Sequence, residues 1–242
     1  LNRVWSGESA WMGEQDWSER AAPNIIVGDR EQVTLGFDGS LGSVKSRRKP
    51  DATCIGGSRV DDGHLFTVGI WEADKPDADG LWTWEPDRVE IDQVLGETFE
   101  RFDVIAMWCD PQHWQNDIGR WAQRHGGEKV LERWTNSDSW MARELERLHS
   151  AVVNGDITHD ANPMATAHVL AARRRIKRTS GDDDSKTRVL VSKAHRNSPE
   201  KIDMVPTWVL AFAARAWVLE KGLHEAGEPS AAPLRFHRTR AR

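Results

Sequence analysis

The sequence predicts an α/β domain with a mixed central β-sheet flanked by helices. Three observations carry that prediction. Strand-length apolar runs alternate with stretches of helical period along most of the chain. The runs at 53–60 and 64–73 are separated only by Asp61-Asp62-Gly63, a hairpin turn, so part of the sheet is antiparallel. The run DVIAMWCD at 103–110 is almost continuously apolar, as a strand covered on both faces must be, so part of it is parallel.

Residues 1–30 carry Trp5, Trp11, Trp17 and a Pro23-Asn24 break without a sustained period, and read as a linker or an adapter segment docked by its tryptophans. In VTLGFDGS (33–40), Val33, Leu35 and Phe37 alternate as in a half-buried strand, which ends on Asp38. The Gly/Ser/basic loop LGSVKSRRKPD (41–51) follows, too long for a two-residue turn. Pro86 opens a helix to 102, with Val89, Ile91, Val94, Leu95 and Phe99 near helical spacing. After the 103–110 strand come Pro111, a helix to about Arg124 and a short strand in EKVLERW (128–134). A helix then runs from a Ser137-Asp138 cap to a Gly155 stop. Another spans 164–172. The basic arms beyond it pair as a β-hairpin about a Gly-Asp turn, or else 164–178 is one helix. Residues 202–220 form the most apolar segment, a buried helix with Pro206 in its first turn. After Gly222 the composition turns to Ala/Pro/Glu and ends in a basic tail, 226–242.

The totals bound the function. At 242 residues one good core can be buried, and no apolar run reaches the ~20 residues of a membrane span. No secretory leader pattern opens the chain. Cys54 and Cys109 lie in apolar runs and read as buried free thiols, which suits a reducing cytoplasm. A net charge of -5 excludes a uniformly basic coat, so a nucleic-acid surface must be local. Thirteen Trp at mostly core-like spacings, with no Tyr, read first as packing residues.

Asp38 and Asp110 end strands, and Asp203 opens the last helix. Singly, each has an ordinary reading: a turn residue, a cap ahead of Pro111, a helix cap. Together they fall where an α/β sheet gathers its functional groups. Three converging carboxylates repel unless a cation compensates, and oxygen-only ligands suit Mg²⁺ or Mn²⁺. Paired ions of that kind serve phosphoryl chemistry.

VTLGFDGS, DVIAMWCDP, GDITHDANPMATAHV and SKAHRNSPEKIDMVPTWVLAFAAR, in that order and spacing, resemble the C-terminal nuclease domain of the large terminase subunit of tailed bacteriophages. LNRVWSGESAWMGEQDW resembles the tryptophan-marked connector leading out of that family's ATPase domain. The resemblance implies an RNase H-like fold over 31–225, with 1–30 as connector. It also implies a metal-dependent endonuclease that cuts concatemeric double-stranded phage DNA during packaging, with little sequence preference. Two divalent cations, Mg²⁺ or Mn²⁺, would be held by Asp38 as bridging ligand and by Asp110 and Asp203. Asp203 would be kept ionised by its helix dipole. Asp51 matches a further acidic position, and either approaches the metals or closes its loop. Implied partners are DNA, the ATPase domain of the same polypeptide, the portal protein and the small terminase subunit, in the host cytoplasm. No G-x-x-x-x-G-K-[ST] phosphate loop occurs here, so the chain alone is not expected to hydrolyse ATP.

Two basic stretches bracket the aspartates. Lys45, Arg47, Arg48 and Lys49 lie in one, and Arg174, Lys177, Lys186, Arg188, Lys193, Arg196 and Lys201 in the other. They are solvated faces or a phosphate track, and on an acidic chain the track is favoured. His195 is a surface histidine or a phosphate contact. Two rival readings are a resolvase- or integrase-type nuclease of the same superfamily and a Trp-rich binding module, which would be largely β with exposed Trp rows.

Overall fold

A computed structural model describes residues 10–178, 187–195 and 198–224. Strands β1 (Gln32–Asp38), β3 (Thr53–Arg59), β4 (Leu65–Trp71), β6 (Asp103–Cys109) and β7 (Val130–Glu132) form one sheet in the order β4-β3-β1-β6-β7. The pairs β1–β3 and β3–β4 are antiparallel, whereas β1–β6 and β6–β7 are parallel. This is the mixed sheet that the Asp-Gly hairpin and the continuous apolar run predict.

Because side chains alternate along a strand, β1 divides its residues between two layers. Val33, Leu35 and Phe37 are buried with Ile91 and Leu95 of α2 (Arg88–Arg101) and with Ile118 and Trp121 of α3 (Gln115–His125). Thr34 and Gly36 face α6 (Met204–Lys221) instead. The Thr34 hydroxyl donates to the Ala211 carbonyl at 2.8 Å. A Cβ on Gly36 would sit 2.0 Å from the Thr207 carbonyl oxygen, so strand and helix backbones touch here. Two strand residues advance about 6.6 Å and four helix residues about 6 Å. The pairing of Thr34 with Ala211 and Gly36 with Thr207 therefore carries forward to Asp38 with Asp203.

The burial of α6 on nearly all sides explains its apolar composition. Helix α4 (Asp138–Asn154) packs Met141, Leu145 and Leu148 into the cluster that holds Trp208 and Val209. It stops where predicted, on Gly155 at φ +79°. Helix α5 (Pro163–Ala171) is capped by Asn162, whose side chain accepts from the Met164 and Ala165 amides. The 173–192 region is a hairpin, β8 (Arg173–Arg178) with β9 (Thr187–Ser192), which rules out a single helix over 164–178. Its Gly-Asp turn lies outside the described residues.

Two expectations are corrected. The basic stretch after β1 is not all loop: β2 (Ser43–Ser46) pairs antiparallel with β5 (Trp82–Trp84) as a small ribbon. The all-β binding module with Trp rows does not hold either, since helices flank the sheet and Trp108, Trp114, Trp121 and Trp208 are core residues. In the N-terminal segment, which includes the short helix α1 (Glu14–Ser18), the tryptophans pack onto the domain. Trp11 and Trp17 are buried, and the Trp17 ring stacks on His159 with centroids 3.7 Å apart. Trp5 and the 226–242 tail lie outside the described residues. Cys54 and Cys109 are buried free thiols. Among the described residues no helix is long and apolar enough to cross a membrane.

Candidate metal centre

Asp38 completes the Thr34/Gly36 row on the α6 side of the sheet. On β6, Ala106 and Trp108 pack with Leu210, Ala213 and Ala214 of α6, so Asp110, two residues on, follows the same parity. The Asp110 amide donates to the Phe37 carbonyl at 2.9 Å and extends the parallel ladder by one residue. From the other flank the Ala52 amide donates to Asp203 Oδ2 at 3.3 Å. Asp38, Asp51, Asp110 and Asp203 all line one open cavity of about 520 Å³, rimmed by Ser43 and Ser46 of β2 and by Arg48 and Lys49.

The electrostatics separate these carboxylates. Burial, followed by the charges of Asp203, Asp110 and Asp51, pushes the Asp38 pKa well above the carboxylate range. Burial and Asp51 also raise Asp203, against weaker opposition from Lys193, His168 and the Ala52 amide. Burial and the Asp51 charge thus act on Asp203 in the sense opposite to that expected of its helix dipole. Asp203 occupies the N-cap position of α6, yet its side chain makes no capping hydrogen bond. Asp110 is buried, and its carboxylate accepts from the Gln112 amide at 3.2 Å and from the Thr135 hydroxyl. Asp51 differs from the others. Burial favours its neutral form, but a hydrogen bond from Lys193 and the charges of Lys193, Lys201 and Arg48 hold its pKa below the ordinary value.

A cavity with carboxylates and too little positive charge suits hard divalent cations, which take oxygen ligands. Among the described residues no group of three or more His, Cys, Asp or Glu side chains is arranged to hold a metal ion by itself. Mg²⁺-type sites do not need one, because one or two carboxylates are completed by water and phosphate oxygens.

The basic residues fall into three groups. Arg48 and Lys49 line the cavity, with Lys45 and Arg47 exposed beside them. Arg174, Lys177 and Arg188 stand on the β8–β9 hairpin, where Lys177 pairs with Asp138. Lys193 is committed to Asp51. Lys201, expected on the DNA face, is only 3% exposed, and its ammonium donates to the Lys49 carbonyl at 2.9 Å. Burial and the charge of Lys193 lower its pKa to about 8. It therefore braces the loop and offers no open charge to a phosphate. His195 is exposed and does not line the cavity. Lys186 and Arg196 lie outside the described residues.

Sequence reasoning missed Thr135 and a polar chain behind the cavity. In that chain His168 Nε2 lies 2.5 Å from Glu72 Oε1, and Lys49 Nζ lies 2.6 Å from Glu72 Oε2. No local pattern links residues so far apart in sequence. Burial alone would raise Glu72, but hydrogen bonds from His168 and Lys49 overcome it and hold the carboxyl at about 2. A depressed folded-state pKa adds stability that is present above the unfolded value of 4.5 and lost as pH falls toward 2. Urea midpoints of the wild type are expected to drop across that window by more than those of Glu72→Gln. Parallel curves for the two proteins would refute the charged network.

The fold is that of the nuclease domains of phage large terminases, with an RNase H-like mixed sheet. Among solved structures the chain is similar to the large terminase of bacteriophage HK97, with TM-score 0.57, 18% identity and coverage of 86% of this chain and 44% of that one. It is also similar to the magnesium-bound large terminase nuclease of thermophilic phage G20c, with TM-score 0.50, 14% identity and coverage of 78% and 85%. In sequence it is 29% identical over 235 residues to the gene 13 protein of Mycobacterium phage D29, a match covering 89% of this chain and 36% of that protein. The chain thus spans roughly a third of the length of that relative. No protein-family profile matches it.

Proposed function

We propose that this chain is the nuclease part of a phage DNA-packaging terminase and hydrolyses phosphodiester bonds of double-stranded DNA with divalent cations. The observation that carries the reading is the convergence of Asp38, Asp110 and Asp203 on one cavity, with too few cations to balance them. Their oxygens would hold Mg²⁺ or Mn²⁺, and the magnesium in the G20c nuclease supports that choice. When bound, such cations would supply the Lewis acidity that activates water and stabilises the departing 3′ oxygen. Within the chain, Thr135 and the Gln112 amide orient Asp110, and the Ala52 amide orients Asp203. Arg48 and Lys49 at the rim, with Lys45 and Arg47 beside them, would receive the DNA backbone. Arg174, Lys177 and Arg188 on the hairpin would extend that contact. Full packaging would require the remainder of a longer polypeptide together with portal and small-subunit partners in the host cytoplasm.

The test is supercoiled plasmid incubated with the purified chain in Mn²⁺, Mg²⁺ or EDTA. Nicking and linearisation are expected with either metal, and none in EDTA. Cutting that persists in EDTA would refute the metal mechanism. No cutting by folded protein in either metal would refute autonomous nuclease activity.

A further inference from the structure

Asp203 stands where a helix cap should be and does not cap. Of the first-turn groups of α6, the Val205 amide donates to the Ile202 carbonyl at 2.9 Å, the Thr207 amide donates to the Asp203 carbonyl at 3.3 Å and Pro206 has no N–H, so the Met204 amide needs an acceptor from elsewhere. That amide donates to His168 Nδ1 at 3.1 Å in a buried contact. Because that amide can only donate, Nδ1 is the unprotonated ring nitrogen, and Nε2 carries the hydrogen given to Glu72. His168 is only 3% exposed and sits on α5, so its ring is fixed by packing. The Glu72 carboxylate then binds Lys49, which also borders the cavity.

We propose that His168 is a positioning residue: by accepting from the Met204 amide it anchors the first residue of α6 and so holds the adjacent Asp203 carboxylate toward the metal cavity. The inference rests on the metal-dependent nuclease reading. Two consequences follow from the geometry. The imidazole supplies the acceptor for the first helical amide, and the Asp203 carboxylate beside it, which makes no capping bond, takes the Ala52 amide and would offer its oxygens to a cation. Glu72 ties the same imidazole to Lys49, so the helix start and the basic loop that flank the cavity are held to one buried point. A ligand oriented by outer partners in this way typically loses ~10–100-fold in metal affinity or activity when they are removed.

Two near-isosteric variants of the whole chain separate capping from general packing. In His168→Asn the side-chain oxygen falls near the position of Nδ1 and can still accept from Met204. In His168→Gln the polar end reaches toward Glu72 and the capping acceptor is lost. Mn²⁺ affinity would be measured by calorimetry, and amide exchange at Met204 in the metal-free chain. We expect His168→Gln to weaken Mn²⁺ binding about tenfold and to speed Met204 exchange, and His168→Asn to stay within about threefold of wild type in both. A merely structural role would make Mn²⁺ affinity track the loss of melting temperature, whichever variant is used. Equal affinity in Gln and Asn variants, or wild-type affinity in His168→Gln, overturns the proposal. Wild-type protein that takes up no Mn²⁺ would overturn the metal reading itself, and faster Met204 exchange in Gln than in Asn would then leave the cap standing without it.

Discussion

Asp38→Asn is expected to abolish metal-dependent nicking, by roughly 10³-fold or more, and to make the metal-free protein more stable. Both effects have one origin. Burial and the charges of Asp203, Asp110 and Asp51 all work against the Asp38 carboxylate, so in the absence of cations it is a destabilising group kept in place by the packing around it. An amide of the same size removes that charge. It also removes the anionic oxygen that a divalent cation needs. Substitutions that relieve strained functional sites commonly gain ~0.5–2 kcal/mol, and each kcal/mol moves the melting temperature of a 150–250-residue protein by about 2–4 °C. A thermal melt in EDTA beside the plasmid assay checks both effects. Asp110→Asn supplies the contrast, since that carboxylate already accepts from Gln112 and Thr135 and stands to gain no stability. If Asp38→Asn keeps its activity, the site is misassigned. If it melts at or below the wild-type temperature, Asp38 is a comfortable turn residue and not a stored charge.

The placement of the three aspartates could be read from sequence because Asp38 and Asp110 close, and Asp203 opens, elements with a strong hydrophobic pattern, and pattern fixes both the element and its face. The alternation of Val33, Leu35 and Phe37 already assigns Asp38 to the side opposite those residues. What could not be read depends on contacts between distant positions. Ser43–Ser46 pairs with Trp82–Trp84 across a long separation, and strands of three and four residues leave no periodic trace. Lys201 sits between Glu200 and Ile202 like any surface lysine. Its burial follows from the packing of the Lys49–Asp51 loop against it, a tertiary fact. The forces opposing charge on Asp203 could not be read for a similar reason. A helix dipole acts locally, whereas the opposing burial and the Asp51 charge come from elements assembled around it. Gly36 did leave a signal: a glycine inside a strand marks a side chain missing where another backbone approaches.

That glycine carries the second large effect. Gly36→Ala is expected to destabilise the chain by about 3 kcal/mol and to lower its melting temperature by about 6–12 °C. The new methyl would meet the Thr207 carbonyl oxygen at 2.0 Å and the Ala211 amide nitrogen at 2.7 Å, with Leu210 Cβ at 3.0 Å. Two of these atoms belong to the backbone, so no rotamer change can make room, and α6 must move off the sheet. The same movement breaks the register that sets Asp203 opposite Asp38, because the Thr34–Ala211 hydrogen bond and the Gly36–Thr207 contact are its two lower rungs. Mn²⁺ affinity should therefore fall even at temperatures where the variant is fully folded. Gly96→Ala is the matched control. It lies inside α2 with nothing within 4 Å of its would-be Cβ, and there alanine should gain about 0.5–1 kcal/mol through helix propensity. Urea melts and Mn²⁺ calorimetry on the two variants decide the matter. If Gly36→Ala loses stability but binds Mn²⁺ like wild type, the strand–helix contact holds the fold together without setting the spacing of the metal ligands.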